Sequence, residues 1–144
     1  MVPQWQGSTT LDALQELVDV GTQVPHEVAR KAGLSTSELH SLRHLMGSPM
    51  GPVELARALG VTSAASSGIV DRLVARGHVT RRAHAADGRR TEVVITESGR
   101  AEVYTRMAPM FTALAALDAA LDAHDRDVVE HYLRGATAAM RSLM

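Results

Sequence analysis

GPVELARALGVTSAASSGIVDRLVARGHVTRRAHAADGRRTEVVIT, residues 51–96, divides at Gly60 and Gly77 into two helices and a β-hairpin. Pro52 suits a first helical position, where its missing N–H would have no partner in any case, and Gly60 suits the C-terminal exit. Leu55, Ala56 and Leu59 then share one face. Thr62 is a good N-cap for a second helix running to about Arg76, because its hydroxyl can accept a backbone N–H that the helix leaves unpaired. Two helices joined by so short a turn form a helix-turn-helix. Helical periodicity puts Ala65, Ser66, Ile69, Val70 and Leu73 on the buried arc of the second helix. The outer arc carries Ser63, Ala64, Ser67, Gly68, Asp71 and Ala75, with Arg72 at its edge.

A face so small and hydroxyl-rich lets a helix approach base edges closely, where Ser or Thr can donate or accept and Ala can touch a thymine methyl. It carries no bidentate Arg–guanine or Asn–adenine reader, so the target sequence is not legible. Alone, the helix pair fits an ordinary all-α domain equally well. The hairpin tips the balance. His78–Ala83 and Thr91–Thr96 read as strands, and Asp87-Gly88 between them is a turn signal. Arg81, Arg82, Arg89 and Arg90 sit on or beside the hairpin, and His84 lies near its tip. Behind a recognition helix such a basic β-loop is a wing, suited to the focused negative potential of a narrow minor groove and to phosphates. Asp87, two residues before Arg89, is placed to pair with it and fix the loop.

From ELARALGVTSAASSGIVDRLVARGHVTRR through DGRR to VVITESGR, the order and spacing of these motifs resemble the MarR family of winged helix-turn-helix transcription regulators. The preceding LSTSELHSLRHL is similar to that family's second helix, and the resemblance covers most of the chain. It implies a mostly α fold with a small β-hairpin wing. A winged helix-turn-helix lobe would span residues 34–96, with helical dimerisation regions at 8–33 and 97–144. It further implies a homodimer on a palindromic operator of double-stranded DNA, with one recognition helix per major-groove half-site and the wings in flanking minor grooves. By the same resemblance Ser63, Ser66, Ser67 and Arg72 face DNA bases or phosphates, and Asp87 with Arg89 forms the wing pair. The helical wheel turns Ser66 partly inward. Thr62, Ala64, Arg82 and His84 complete the candidate DNA surface from the cap, the outer face and the wing. Many members of the family have Arg directly after the wing aspartate. This chain has Gly88 there, which makes Arg90 a candidate groove contact beside Arg89.

The charge balance, 15 Lys plus Arg against 16 Asp plus Glu, is unusual for a nucleic-acid binder. Segregation accounts for it, since arginines outnumber acids between Arg72 and Arg100 and acids outnumber arginines beyond residue 101. The 144 residues suit one domain, and a composition 45% hydrophobic with few aromatics suits a helical core of Leu, Val, Ala and Met. No signal peptide or membrane-spanning run is read, so a cytoplasmic protein is expected. With no cysteine, thiol-based oxidant sensing and thiolate metal ligation are excluded.

Outside the lobe, TLDALQELVDV at 10–20 places Leu11, Leu14, Leu17 and Val18 on one stripe, with a break expected near Pro25 before HEVARKAG. A helix from Glu97 carries Val103, Met107, Met110, Phe111, Leu114, Leu117 and Leu121, with a kink expected at Pro109. A last helix from about Asp125 turns Val128, Val129, Tyr132, Leu133, Ala136 and Met140 inward. These stripes suit an intertwined dimer, with intramolecular packing as the alternative.

Related proteins bind small aromatic acids beside the dimer helices, which makes Trp5, His40, His44, Met46, Met107, Met110 and Phe111 the candidates for a small aromatic or other organic effector. A Met-rich stripe at helical spacing is usually core filling. His40 and His44 have the i, i+4 spacing of a two-imidazole metal site, and His124, His131, Asp125, Asp127 and Glu130 offer further donors, but spacing supplies no third ligand. No cofactor is implied. With no nucleophile motif and no phosphate loop, an enzyme is not expected. The expected function is a sequence-specific repressor relieved by a small-molecule effector. The alternatives are a metal-responsive DNA-binding regulator using histidines, and a winged-helix protein-interaction module.

Overall fold

Four helices begin on a side-chain cap. Ser8, Ser35, Thr62 and Asp122 each accept the backbone N–H of the residue three positions on, satisfying a donor that the first helical turn leaves free. The computed structural model describes residues 6–144; Trp5 lies outside them. In order the elements are α1 (Thr9–Ala32), α2 (Thr36–Gly47), α3 (Pro52–Leu59), α4 (Ser63–Ala75), β1 (Val79–Ala83), β2 (Thr91–Ile95), α5 (Glu97–Ala119) and α6 (Ala123–Arg141). The chain separates into two compact units, Met1–Arg106 and Met107–Met144.

In the first unit α2 is the hub, packing on α1, α3, α4 and β2. Its Leu39, Leu42 and Leu45 are buried with Leu55 and Ala56 of α3, Ile69, Val70 and Leu73 of α4, and Val79, Val93 and Ile95 of the hairpin. Each such large side chain contributes about 1.5–3 kcal/mol by leaving water. α3 ends at Gly60, whose left-handed backbone (φ 68°) lets its N–H reach the carbonyls of Ala56 and Arg57. That exit turns the chain into Thr62 and α4. The antiparallel hairpin pairs Val79 with Ile95 and Ala83 with Thr91. Met50, just ahead of α3, adds a bridge to Val93 with N···O distances of 3.2 and 2.7 Å, so the wing is also tied to the chain that enters the helix-turn-helix.

Three expectations are corrected. Ala65 is exposed, and the buried arc of α4 is Ser66, Ile69, Val70 and Leu73. α1 runs unbroken through Pro25, one missing N–H being outweighed by the turns on either side. α5 spans Pro109. In the second unit α6 has no buried residue. Val128, Val129, Tyr132, Leu133 and Met140, expected inward, are exposed in the single chain, as are Phe111, Leu114 and Leu117 of α5. Among the described residues no helix is long and apolar enough to cross a membrane.

The wing returns to α5 through Thr96. Its hydroxyl donates to the Gly77 carbonyl (2.7 Å) and accepts from Gly99 N–H (3.1 Å), and its own N–H reaches the His78 carbonyl (3.0 Å). This seam leaves no space for a side chain at Gly99, where a Cβ would lie 2.3 Å from the His78 carbonyl oxygen and 3.0 Å from Ile95 Cγ1. Gly99→Ala is expected to destabilise the first unit by about 1–3 kcal/mol in urea unfolding. Gly88→Ala, where a Cβ meets nothing within 4 Å, should stay within about 0.5 kcal/mol of the parent. Equal stability of the two variants would show that the seam does not constrain the fold.

Candidate nucleic-acid interface

The outer face of α4 is bare because the residues that fix the helix all lie behind it. Ser63, Ala64 and Ser67 are exposed and Gly68 half-exposed, and among the described residues neither the Ser63 nor the Ser67 hydroxyl has a hydrogen-bond partner. Thr62 is committed as the cap, its Oγ1 accepting from Ala65 N–H at 3.1 Å. Ser66 does not belong to this face. At 1% exposure it is enclosed by the core, and its Oγ has no partner among the described residues, so the expected DNA contact is withdrawn.

The arginines fall into two groups. Glu38 of α2, 5% exposed, holds two of them from behind: Arg72 Nε lies 3.4 Å from one carboxylate oxygen and Arg76 Nε 3.8 Å from the other. Arg81 of β1 bonds Asp71 of α4 at 2.6 Å and the Ser67 carbonyl at 3.4 Å, tying the base of the hairpin to α4. Arg82 bonds Glu92, its direct cross-strand partner, at 2.8 Å. Arg82 was expected to contact DNA; in the free chain it is engaged within the hairpin. Arg89 and Arg90 form the second group, exposed and without an acidic partner among the described residues. The expected Asp87–Arg89 ion pair is replaced by a different link, in which Asp87 Oδ1 accepts the backbone N–H of Arg89 at 3.1 Å and the guanidinium stays free. His84 is turned into the loop, where its Nδ1 accepts from Ala86 N–H at 3.1 Å and Asp87 N–H at 3.2 Å.

Sequence reasoning missed Glu38, the Asp71–Arg81 pair and the Met50 bridge. The pairing of Arg82 with Glu92 follows once the hairpin register is known, but partners 34 residues apart, such as Glu38 and Arg72, leave no local signal.

A family model described as the MarR family matches residues 32–90, which hold α2 to α4 and the wing up to Arg90. The repressor YetL of Bacillus subtilis (strain 168) is 27% identical over 114 residues, covering 75% of this chain and 68% of YetL. Over residues 32–90, then, this chain is similar to the MarR family. Two solved structures extend the likeness in fold to nearly the whole length. A MepR variant of S. aureus bound to an oligodeoxyribonucleotide superposes with a TM-score of 0.64 at 17% identity, covering 93% of this chain and 99% of that one. BpsR of Bordetella bronchiseptica, whose DNA binding is regulated by 6-hydroxynicotinic acid, does so at 0.55 and 20% identity, covering 94% and 98%.

The effector candidates of this chain are dispersed over both units. His40 and His44 line a cavity of about 250 Å³ with Ser37 of α2 and Ala58 and Leu59 of α3. Met46 is half-buried further along α2. Met107, Met110 and Phe111 belong to the second unit, where Met107 is buried and Phe111 exposed. No group of three or more metal-ligating side chains occurs among the described residues.

Burial holds the pKa of His40 below the ordinary histidine value of 6.5, and the neighbouring Arg43, His44 and His26 act in the same direction. The unfolded chain therefore takes up this proton before the folded one does. Stability is fully present above pH 6.5 and falls as pH drops from there to the folded value of His40. In urea unfolding over this window, His40→Gln should show a shallower decline than the parent. An imidazole NMR titration with a His40 midpoint at or above 6.5 would exclude this.

Proposed function

We propose that this chain is a sequence-specific, DNA-binding transcription repressor that acts as a homodimer on a palindromic operator and releases it on binding a small organic effector. One observation carries the reading. The bare face of Ser63, Ala64, Ser67 and Gly68 lies on the same helix that Arg81 ties to a wing with two unengaged arginines, Arg89 and Arg90. A helix face without bulk can enter a major groove, and free guanidinium groups beside it suit a narrow minor groove or phosphates. The match of residues 32–90 to the MarR family model, a relative named as a repressor and a DNA-bound structure of similar fold support it. The effector rests on the analogy with BpsR, and the proposal assigns the chain no catalysis and a place in the cytoplasm. In this reading residues 34–96 form the DNA-binding lobe, and residues 8–33 and 97–144 the dimerisation region.

The direct test starts from a duplex that the protein selects out of a randomised pool. Anisotropy titrations across salt concentrations should give a slope that falls by about one to two in Arg89→Ala/Arg90→Ala, since each phosphate contact contributes roughly 0.9. If no sequence is enriched, the regulator reading fails.

The dimer is supported by apolar side chains that the single chain leaves uncovered, chiefly Leu114 and Leu117 of α5 and Val128, Tyr132 and Leu133 of α6. Sedimentation should give twice the chain mass for the parent and a monomer for Val129→Asp/Leu133→Asp. A monomeric parent would remove the dimer from the proposal.

A further inference from the structure

We infer that His84 is the positioning residue of the wing tip, acting as a hydrogen-bond acceptor that shapes the loop carrying Arg89 and Arg90 and not as a cation that touches DNA. The inference rests on the regulator reading and assigns a role within it.

Between the end of β1 at Ala83 and the start of β2 at Thr91 the hairpin has no ladder, so the backbone donors of the tip need other acceptors. Backbone carbonyls supply two: His84 N–H bonds the Arg90 carbonyl at 2.8 Å, and Arg90 N–H bonds the Asp87 carbonyl at 3.0 Å. Asp87 Oδ1 takes Arg89 N–H. His84 Nδ1 takes two more, Ala86 N–H and Asp87 N–H. A ring nitrogen that accepts two amide protons must present its lone pair, which assigns the imidazole proton to Nε2. Without that acceptor both amides lose their partner, and the Asp87 backbone that positions Arg89 and Arg90 is released.

This chemistry separates positioning from contact, because the two roles tolerate opposite substitutions. Asn carries a side-chain oxygen able to accept from amides two and three residues on, as in an Asx turn, but has no charge. Lys keeps a cation for phosphate and offers no acceptor. Leu has neither.

The test uses the full chain and the duplex that the parent selects from a randomised pool. Amide hydrogen exchange should show Ala86 and Asp87 protected in the parent and in His84→Asn, and unprotected in His84→Lys and His84→Leu. Affinity for the selected duplex should follow the same order, with losses on the order of tenfold in the Lys and Leu variants, as expected for two lost hydrogen bonds. His84→Leu should also lower the salt slope although it removes no arginine, because Arg89 and Arg90 are no longer held in place. Affinity retained in His84→Lys and lost in His84→Asn would overturn the inference in favour of direct contact. So would amide protection indifferent to all three substitutions. If the parent selects no duplex, the regulator reading fails, and the order of protection alone still decides whether His84 organises the tip.

Discussion

A helix whose outer face stays empty, as that of α4 does, has to be held from behind and from its ends, and this constraint organises the first unit. Ile69, Val70 and Leu73 give α4 one buried seam against α2 and the hairpin. Thr62 fixes its start. Glu38 then reaches from the first turn of α2 to Arg72 and Arg76 near its end, and Arg81 reaches from β1 to Asp71. Each of these contacts leaves Ser63, Ala64 and Ser67 untouched. α2 can serve as the support because its leucines face the core on several sides, which places α3, α4 and β2 in one packed body.

The same economy governs the arginines. Four of those between Arg72 and Arg82 lie beside a carboxylate, so they orient elements and add little net field. The exposed pairs contribute modestly to stability, because solvent screens them. The partners Glu38 and Glu92 are buried, however, and a carboxylate in that setting requires its cation. Charge left over for an anionic partner is thereby concentrated at the wing tip, where Arg89 and Arg90 remain free. Net composition hides this arrangement, since a formal charge of −1 sums groups that are already neutralised in pairs.

What was legible in the sequence is what a local period or turn can encode. The buried seam of α4, the Gly60 exit, the Thr62 cap and the hairpin turn all follow from residues a few positions apart. Ala65 shows the limit, since a small residue at the margin of a stripe can fall on either side of it. Links between distant residues were not legible. Glu38 with Arg72, Asp71 with Arg81 and Met50 with Val93 depend on tertiary placement that no periodicity reports. Ser66 and His84 show the same limit in the site itself: serine and histidine suit a DNA surface by type, and here one is buried and the other closes a loop. For the helices at the chain ends, an apolar stripe says only that something must cover it, and in α6 the single chain supplies nothing.

That incompleteness bears on how the proposed repressor would discriminate sequence. Serine, alanine and glycine on α4 forgo the bidentate pairs worth about 1–3 kcal/mol each against a wrong base. Specific sites nevertheless stand about 4–10 kcal/mol above the background of arbitrary DNA. In the proposed homodimer two copies related by a two-fold axis would double each weak preference, and arginines at the wing tips would add a response to groove width that needs no base contact. A near-neutral molecule lowers the background at the same time, because non-specific affinity scales with the phosphates neutralised. In the proposed dimer, selectivity would come from the assembly of modest contacts, and the spacing of the two α4 helices would bear on all of them together.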